Sequence, residues 1–440
     1  MKQQKRKVGK HILAVLAVLV LAAFAFVYFK VPIQFEGTET KIPEALPSDQ
    51  VLSKDAVLAD REQMITYVED IHPFFERVEN QEDYQQAKET YIQATEEEMT
   101  VIDFEIATSA YLCFFQDGHT GLKWTEEEYL FIPWTYEDGA MYLMQDDEVT
   151  DKKLEAIGGV EMETIFALMD QLYPAENEMA KARNYIAYGD GRNLLTLAGI
   201  AMQGSEVEVT LSDGSVETYW FSDNTGIEVE SDENLPVNSY YETDDIFVVD
   251  FNSCDNNEEL GEIAKALKEA VANGTEKVII DARGNGGGDS NACVTLLNAM
   301  GMEAPDYDMF IRYSKEAKKQ NGYLRGFGSM LYEGSAKGKA NDKVNLVVLC
   351  DKDTFSSATM LLVFVRDGGL GTIIGEPSAN RPNCYGDIIY FALDNSHLWG
   401  TISHKQFIRP DETNTENMLI PDVETSSGDA MDAAITFLNK

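Results

Sequence analysis

Apolar residues recur at helical spacing in the first part of the chain and at mixed spacing after it. Between about Ala56 and Phe115 they repeat with a helical period, as at Ile102 and Ile106, which predicts a helical region. Val207–Leu211 alternates cleanly and leads into a Ser-Asp-Gly turn, which predicts a strand. Because helical and strand patterns mix over residues 126–240, we predict an α+β insert there.

The last two hundred residues alternate short apolar runs with amphipathic segments. The predicted strands are 246–251, 278–280, 346–349, 373–374 and 388–393, and the predicted helices are 263–271 and 356–365. Such alternation is typical of a parallel or mixed sheet covered by helices. Residues 241–440 are therefore predicted to form an α/β core.

The N-terminal segment has the pattern of a membrane-targeting sequence. Residues 1–10 carry five basic and no acidic side chains, and residues 12–29 carry no charge. As a helix those eighteen residues span about 27 Å, close to the hydrocarbon core of a bilayer. Basic residues before an apolar span keep that end in the cytoplasm. The rest of the chain is therefore predicted to lie outside it.

Two interpretations of this segment stay open. In the first, residues 1–30 are a basic tail and an uncleaved transmembrane anchor, because the apolar run continues through Tyr28 and Phe29. In the second, the segment is a signal peptide cleaved near Ala23–Ala25, and the protein is secreted. Residues 31–55 contain three prolines without an apolar period and are predicted to be a linker.

Charge and cysteine content exclude several classes of function. After residue 30 the chain has 29 Lys and Arg against 76 Asp and Glu, a net charge of −47. Such a body repels nucleic acid and anionic lipid headgroups. The five cysteines form no C-x-x-C pair, which excludes a zinc ribbon or a thioredoxin motif.

A glycine-rich loop, Asp281–Gly288, follows directly after a predicted buried strand. It is not a dinucleotide fingerprint, because Asp289 stands where the last glycine should be, and it lacks the Lys of a P-loop. An oxyanion hole requires only well-aimed backbone N–H groups, which glycines can present. A ligand-binding loop is favoured over a flexible turn because of the preceding strand.

Ser356 stands where a strand leads into a helix, within Thr354-Phe-Ser-Ser-Ala358. A serine at this position is normally an N-cap. It can also be a nucleophile, because the unpaired N–H groups of a helix start favour a developing negative charge. His119, in Asp117-Gly-His-Thr120, ends a predicted helix. By itself His119 is better explained as a structural residue.

Together these motifs resemble the carboxyl-terminal processing (tail-specific) protease family and its tricorn-like branch of serine peptidases. The resemblance extends over residues 56–440 and is strongest after residue 246. The matching segments are Asp117–Thr120, Val278–Gly288, Asp351–Ala358, Gly375–Pro377, Asp394–Ser396 and Pro421-Asp422.

The chain departs from the family pattern at the residue that serves as general base. Processing proteases pair Ser with Lys, but residues 377–386 contain no Lys, and Arg381 stays protonated and cannot replace it. His119 matches the histidine of the tricorn-like branch. Gly118 stands in place of that branch's serine, Thr359 in place of a glutamate near the nucleophile, and Glu416 is a possible third catalytic member.

The resemblance implies a crotonase/ClpP-like spiral core at residues 241–440, with a helical N-terminal domain at 56–125. It also implies that the insert at 126–240 is PDZ-like, although a plain structural insert fits equally well. The function implied is a serine endopeptidase or processing peptidase acting on proteins or peptides outside the cytoplasm.

The mechanism implied assigns roles to two side chains and one loop. Ser356 is the nucleophile and His119 the general base. The backbone N–H groups of Gly287 and Ser357 form the oxyanion hole, with Gly286 as the alternative donor. No metal or organic cofactor is expected, because the sequence has no H-E-x-x-H motif, no EF-hand loop and no His cluster.

Two rival functions stay open. A catalytically inactive relative would use the same fold to bind peptides or cell-wall partners, which the missing Lys, Gly118 and Thr359 favour. An acyl-CoA enzyme would use the glycine loop for thioester chemistry, but it would gain nothing from Ser356.

Overall fold

The computed structural model describes residues 15–28, 31–76, 81–124, 126, 128–146, 148–201, 204–223, 237–243 and 245–440. Residues 15–28 form an exposed helix, α1. Within the described ranges, no helix is long and apolar enough to cross a membrane. The predicted anchor at residues 12–29 is therefore not supported, and residues 12–14 and 29 lie outside the described ranges.

Residues 31–38, part of the predicted linker, pack against the folded body. The Phe35 N–H donates to Gly322 O (2.8 Å), and the Leu324 N–H donates to Ile33 O (3.1 Å). Gln34 and Tyr323 form an isolated antiparallel bridge. The first part of this segment is thus an added strand-like stretch rather than a free linker.

The helical prediction for residues 56–115 is confirmed. The elements are β1 (Val51–Leu52), α2 (Lys54–Ile71), a 3₁₀ helix (Pro73–Glu76), α3 (Gln81–Ala94), β2 (Met99–Thr100) and α4 (Val101–Cys113). Ser53 and Thr100 cap α2 and α4 through their hydroxyls. These helices share one core with Ile389, Phe391 and Ile402 of a later sheet, so they are not an independent domain.

The insert is a mixed α+β unit with its own core, as predicted. The short strand β3 (Gly121–Leu122) precedes the insert. The elements of the insert are β4 (Glu128–Tyr129), β5 (Trp134–Glu137), β6 (Ala140–Gln145), β7 (Glu148–Ile157), β8 (Val160–Glu161), α5 (Met162–Leu172), α6 (Glu178–Tyr188), α7 (Arg192–Leu197), β9 (Glu206–Leu211), β10 (Val216–Trp220) and β11 (Ser222–Asp223). Its sheet has the order β10-β9-β7-β6-β5. The core is formed by residues such as Leu154, Ile165 and Val209. The PDZ-like character stays a prediction.

The α/β core contains a six-stranded sheet that is parallel except at one edge. Its elements are β12 (Ser239–Thr243), β13 (Ile246–Asp250), α8 (Glu258–Ala272), β14 (Lys277–Asp281), α9 (Ser290–Ala299), β17 (Asn345–Cys350), α11 (Ser357–Gly368), β18 (Thr372–Gly375), β21 (Val423–Glu424) and α12 (Ala430–Leu438). The strand order is β12-β13-β14-β17-β18-β21, and only β12 runs antiparallel. All five strands predicted between residues 246 and 393 and both predicted helices are present.

A second, antiparallel sheet lies beside the first. Its elements are β15 (Asp308–Arg312), α10 (Lys315–Asn321), β16 (Ser329–Tyr332), β19 (Cys384–Ala392) and β20 (Trp399–Ile408). The strand order is β16-β15-β20-β19, and β3 pairs with β20 through Gly121 and Thr401. This pairing carries the chain just after His119 onto the second sheet.

Candidate active site

Ser356 occupies a sharp turn between β17 and α11. Its backbone angles, φ 53° and ψ −123°, lie in a region that non-glycine residues rarely adopt. Such a conformation costs on the order of 1–3 kcal/mol and persists only when the surroundings hold it. Here the Ser356 N–H donates to Asn380 Oδ1 (2.9 Å). The Ser356 side chain does not cap α11, so the N-cap interpretation is wrong and the hydroxyl faces the cleft.

The structure brings His119 to Ser356 although 237 residues separate them. His119 Nε2 lies 3.0 Å from Ser356 Oγ. The histidine is held by its backbone, because Thr401 Oγ1 on β20 donates to His119 O (2.8 Å) and β3 begins two residues later. The imidazole also packs on the Phe355 ring, at 4.7 Å between centroids. This is the spacing of a nucleophile and its general base.

Asp117 is a buried anchor for the histidine loop. One carboxylate oxygen accepts the His119 N–H (2.9 Å), and the other accepts the hydroxyls of Thr120 and Ser403 (2.6 Å each). Buried His72 lies 3.4 Å from the same oxygen. Burial raises the pKa of Asp117, but its interactions with His119 and His72 outweigh burial and hold the pKa below its ordinary value.

Glu176, which the sequence analysis did not single out, is the second carboxylate beside His119. It lies between α5 and α6 of the insert and is 2% exposed. Its side chain accepts the N–H of Gly118 (3.1 Å), the N–H of Arg381 (2.7 Å) and the Asn380 amide (2.7 Å). Burial raises the pKa of Glu176 above its ordinary value, although His119 and these donors lower it. Asn380 thus links Glu176 to the backbone of Ser356.

The second ring nitrogen of His119, Nδ1, faces the carboxylates of Asp117 and Glu176. Nδ1 lies 3.6 Å from Asp117 Oδ1 and 3.9 Å from Glu176 Oε1, and it has no hydrogen-bond partner among the described residues. Burial lowers the pKa of His119, but Asp117, Glu176 and Asp387 outweigh burial and raise the pKa above its ordinary value. A small ring rotation would bring Nδ1–H onto either carboxylate, which orients Nε2 as the acceptor for Ser356.

Glu416, the carboxylate proposed from sequence, lies elsewhere. Its side chain is 45% exposed and contacts Arg409 (3.7 Å) and Asn414 (3.1 Å). Within the described part of the chain, the carboxylates within 4 Å of the His119 ring nitrogens are those of Asp117 and Glu176. The loop that carries Glu416 folds back on Arg409 instead of reaching the cleft.

The glycine loop and the nucleophile turn adjoin because they follow neighbouring parallel strands. Asp281 on β14 pairs with Leu349 on β17, so both loops begin at the same edge of the sheet. The Phe355 N–H donates to Asn285 O (2.9 Å), and Ser357 Oγ donates to Gly288 O (2.7 Å). These bonds hold the loop against the turn that carries Ser356.

The predicted oxyanion donors differ in orientation. The Gly287 N–H donates to Asn285 Oδ1 (2.9 Å), because Gly287 has φ +103° and turns its N–H into the loop. Among the described residues, the N–H groups of Gly286 and Ser357 have no hydrogen-bond partner, and both residues line the cleft. Gly287 instead allows the glycine loop to approach Ser356 closely, since a Cβ at position 287 would lie 2.7 Å from Ser356 Cβ.

The departures from the family pattern have local explanations. A Cβ at position 118 would lie 2.9 Å from Phe355 Cζ, so the serine of the tricorn-like branch would not fit without moving Phe355. Arg381 does not contact Ser356. Its Nε donates to Glu176 O (2.6 Å), and its Nη2 donates to Gln116 Oε1 (3.2 Å), which anchors the Glu176 loop.

Asp117, His119 and Glu176 also have the donor spacing of a metal site, since one ligand atom of each lies within 4.8 Å of the others. The hydrogen bonds above already engage both carboxylates with protein donors. The expectation that no metal or organic cofactor is required stays a prediction.

Ser356 and His119 open into a cleft of about 770 Å³ between the two sheets, a volume within the usual range of ligand-binding pockets. Its walls come from the glycine loop, α9, α11 and strands β15, β19 and β20. A strained serine paired with histidine, beside free N–H groups and a cleft of this size, is the arrangement of a serine hydrolase.

Comparison with known proteins defines the class further. Residues 245–425 match the sequence model of Peptidase family S41. These residues therefore form a domain of Peptidase family S41, and the protein is a serine peptidase. No curated protein sequence matches the chain significantly.

Solved structures share the fold at low sequence identity. Mature CPAF has a TM-score of 0.58 at 13% identity, covering 88% of this chain and 96% of that one. Mature CPAF complexed with lactacystin has a TM-score of 0.56 at 13% identity, covering 88% and 97%. The photosystem II D1 C-terminal processing protease covers 84% of this chain and 94% of that one, at 12% identity and a TM-score of 0.45. The mixed α/β fold is shared with the two CPAF structures, and with the family match it is that of an S41 peptidase.

Proposed function

We propose that this peptidase cleaves proteins or peptides with Ser356 as nucleophile and His119 as general base. The observation that carries the proposal is the 3.0 Å distance between His119 Nε2 and Ser356 Oγ. His119 accepts the hydroxyl proton as Ser356 attacks the substrate carbonyl, and it then delivers that proton to the leaving amine. Water hydrolyses the acyl-enzyme by the same steps.

The proposal assigns the oxyanion to Gly286 and Ser357. Their N–H groups border the cleft beside Ser356, and Ser357 begins α11, where the helix dipole favours negative charge. Gly287 keeps the loop close to Ser356. Asp117 and Glu176, in place of Glu416, take the third catalytic position and stabilise the charged imidazole.

Ser356→Ala and His119→Ala test this mechanism. Each variant should lose nearly all turnover of an unstructured peptide, and the double variant should be little worse than either, because residues acting as a unit are non-additive. A fluorophosphonate probe should label the wild-type protein and spare Ser356→Ala. A folded wild-type protein that takes no label and cleaves no peptide would favour the inactive peptide- or wall-binding alternative.

Action outside the cytoplasm is proposed from the sequence of residues 1–29 alone. Protease added to intact cells should digest the body of the protein, as judged by blotting against an epitope in the catalytic core. A core that resists digestion until the cells are lysed, in an organism without an outer membrane, would contradict this location.

A further inference from the structure

One wall of the catalytic cleft is an apolar stripe that begins at the nucleophile. Ser356, Met360 and Phe364 line the cleft together. They follow one another at intervals of four residues, which places them on one face of α11 at about 6 Å per step. The surface next to Ser356 is therefore apolar in one direction along the helix.

Three further apolar side chains line the same cleft, namely Val294 on α9, Tyr307 before β15 and Phe407 on β20. The Tyr307 ring centroid lies 5.8 Å from that of Phe364 and 6.2 Å from that of Phe407. Asp289 and Asp306 also border the cleft, but both are exposed and remain solvated at its rim.

The part of the cleft beside His119 contains polar side chains. A Cβ at Gly386 would lie 3.3 Å from the Phe407 ring and 3.8 Å from His119 Cε1, so Phe407 lies between the apolar stripe and His119. The next residue, Asp387, forms an ion pair with Lys405, and both line the cleft. Gln34, from the segment that packs beside Tyr323, lines it as well.

The position of His119 assigns a direction to the bound substrate. His119 must reach the leaving nitrogen to protonate it, so the residues after the cleaved bond lie on the His119 side, toward Gly386 and Asp387. The residue that supplies the attacked carbonyl then lies on the other side of Ser356, against Met360 and Phe364.

From this geometry we infer that the apolar pocket formed by Val294, Tyr307, Met360 and Phe364 binds a bulky apolar side chain of the residue preceding the cleaved bond. The inference rests on the proposed function and specifies its substrate class. A small residue such as alanine leaves the pocket partly unfilled, and an acidic residue loses its hydration without a partner there. Leucine or phenylalanine should exceed alanine by about tenfold or more in kcat/KM.

The test uses peptides that differ only in the residue before the cleaved bond, namely Phe, Leu, Trp, Ala or Asp. The full-length wild-type protein should prefer Phe and Leu and disfavour Asp. Val294→Phe fills the pocket, so it should reduce kcat/KM for Phe and Leu peptides while sparing the Ala peptide. Met360→Ala enlarges the pocket and should shift the preference toward Trp. Asn298→Phe, at an exposed position on the same helix, is the matched control and should leave the ratios unchanged.

Binding of the same peptides to Ser356→Ala, followed by fluorescence anisotropy, gives a readout independent of turnover. Tighter binding of Phe and Leu than of Ala peptides, abolished by adding Val294→Phe, would support the pocket even if the wild-type protein cleaved nothing, and in that case the proposed function alone would fail. Unchanged ratios in both pocket variants, or a preference that follows the residue after the bond, would overturn the inference.

Discussion

At the scale of single residues, the proposed mechanism depends on how the His119 environment sets its charge. Asp117 is satisfied by four neighbouring side-chain and backbone groups, whereas Glu176 connects His119 to Asn380 and so to the Ser356 backbone. The two carboxylates therefore differ in role. Asp117 holds the loop in place, and Glu176 couples the base to the nucleophile turn.

The pH dependence of turnover should report this coupling. His119 must be neutral to accept the Ser356 proton, so activity falls as pH drops through its pKa. Because the neighbouring carboxylates raise that pKa, the acid limb of kcat/KM should have its midpoint above the ordinary value of about 6.5. Glu176→Gln removes one of these charges and should move the midpoint to lower pH while reducing kcat.

Glu178→Gln is the control for this measurement, because Glu178 is 82% exposed at the start of α6. It should leave the acid limb in place. An acid limb that is identical in wild type and Glu176→Gln would remove Glu176 from the catalytic group.

Gly287 should tolerate no side chain. An added Cβ would lie 2.7 Å from Ser356 Cβ and 2.9 Å from Phe355 O, at a φ of +103°. Gly287→Ala should therefore displace the nucleophile turn and reduce kcat by about 10² to 10³, the effect typical of a damaged oxyanion site. Turnover of a peptide by the purified variant measures this.

Gly214→Ala is the control that separates the effect of backbone strain from that of the close contact between position 287 and Ser356. Gly214 also has positive φ (+80°), but an added Cβ would meet nothing within 4 Å. That variant should be slightly destabilised and fully active. A Gly287→Ala protein as active as Gly214→Ala would show that close approach at the loop is unnecessary.

At the scale of elements, the insert contributes to the catalytic site through the start of α6. Asn177 caps this helix by accepting the Ala180 N–H (2.9 Å). Its amide also lies 3.4 Å from the carbonyls of Ser378 and Asn417 in the catalytic core. Because Glu176 is the preceding residue, one short segment both begins a helix and places a carboxylate beside His119.

Asn177→Ala should thus affect stability and activity together. Loss of the cap should cost about 1 kcal/mol in the free energy of unfolding, measured from the urea midpoint. Loss of the contacts with the core should also reduce kcat, since Glu176 is no longer held in place.

Asn257→Ala provides the comparison at an equivalent position. Asn257 caps α8 by accepting the Leu260 N–H (3.0 Å) and lies outside the cleft. It should lose similar stability without losing kcat. If both variants keep full kcat, the insert does not position Glu176 through Asn177.

At the scale of the whole molecule, a buried ion pair joins the elements on either side of the cleft. Asp367 lies in the last turn of α11, beside the parallel sheet, and Arg409 follows β20 of the antiparallel sheet. Their side chains are 2% and 0% exposed, and Arg409 Nε donates to Asp367 Oδ2 (3.0 Å). The pair fixes the separation of the two cleft walls.

Breaking this pair should destabilise the whole molecule. Asp367→Ala leaves the buried guanidinium with only the half-exposed Glu416, 3.7 Å away. Breaking a buried pair in this way typically costs about 3 to 5 kcal/mol. Glu303→Ala breaks an exposed pair with Lys339, at 66% and 67% exposure, and should cost less than about 1 kcal/mol. Urea unfolding midpoints compare the two variants. Equal midpoints would mean that the buried pair does not hold the sheets together.

The sequence by itself determined the elements of the core and part of the site. Alternating apolar runs specify buried strands through local patterning. The sequence also singled out the Gly284–Gly288 loop and Ser356, and the resemblance to the processing proteases implied that the two act together. The resemblance to the processing proteases extended this to His119, because an ordered set of motifs carries distance information that no single motif has.

Only the tertiary structure decided which carboxylates meet His119 and which N–H groups face the cleft. Glu176 lies in an insert with its own core, and its role comes from packing between that insert and the loop at Asn380, which leaves no periodic or compositional signal. Glu416 has a plausible position along the chain, but its loop turns toward Arg409. The direction of the Gly287 N–H depends on the positive φ of this residue. Because glycine adopts positive and negative φ about equally well, the residue type alone could not determine that direction.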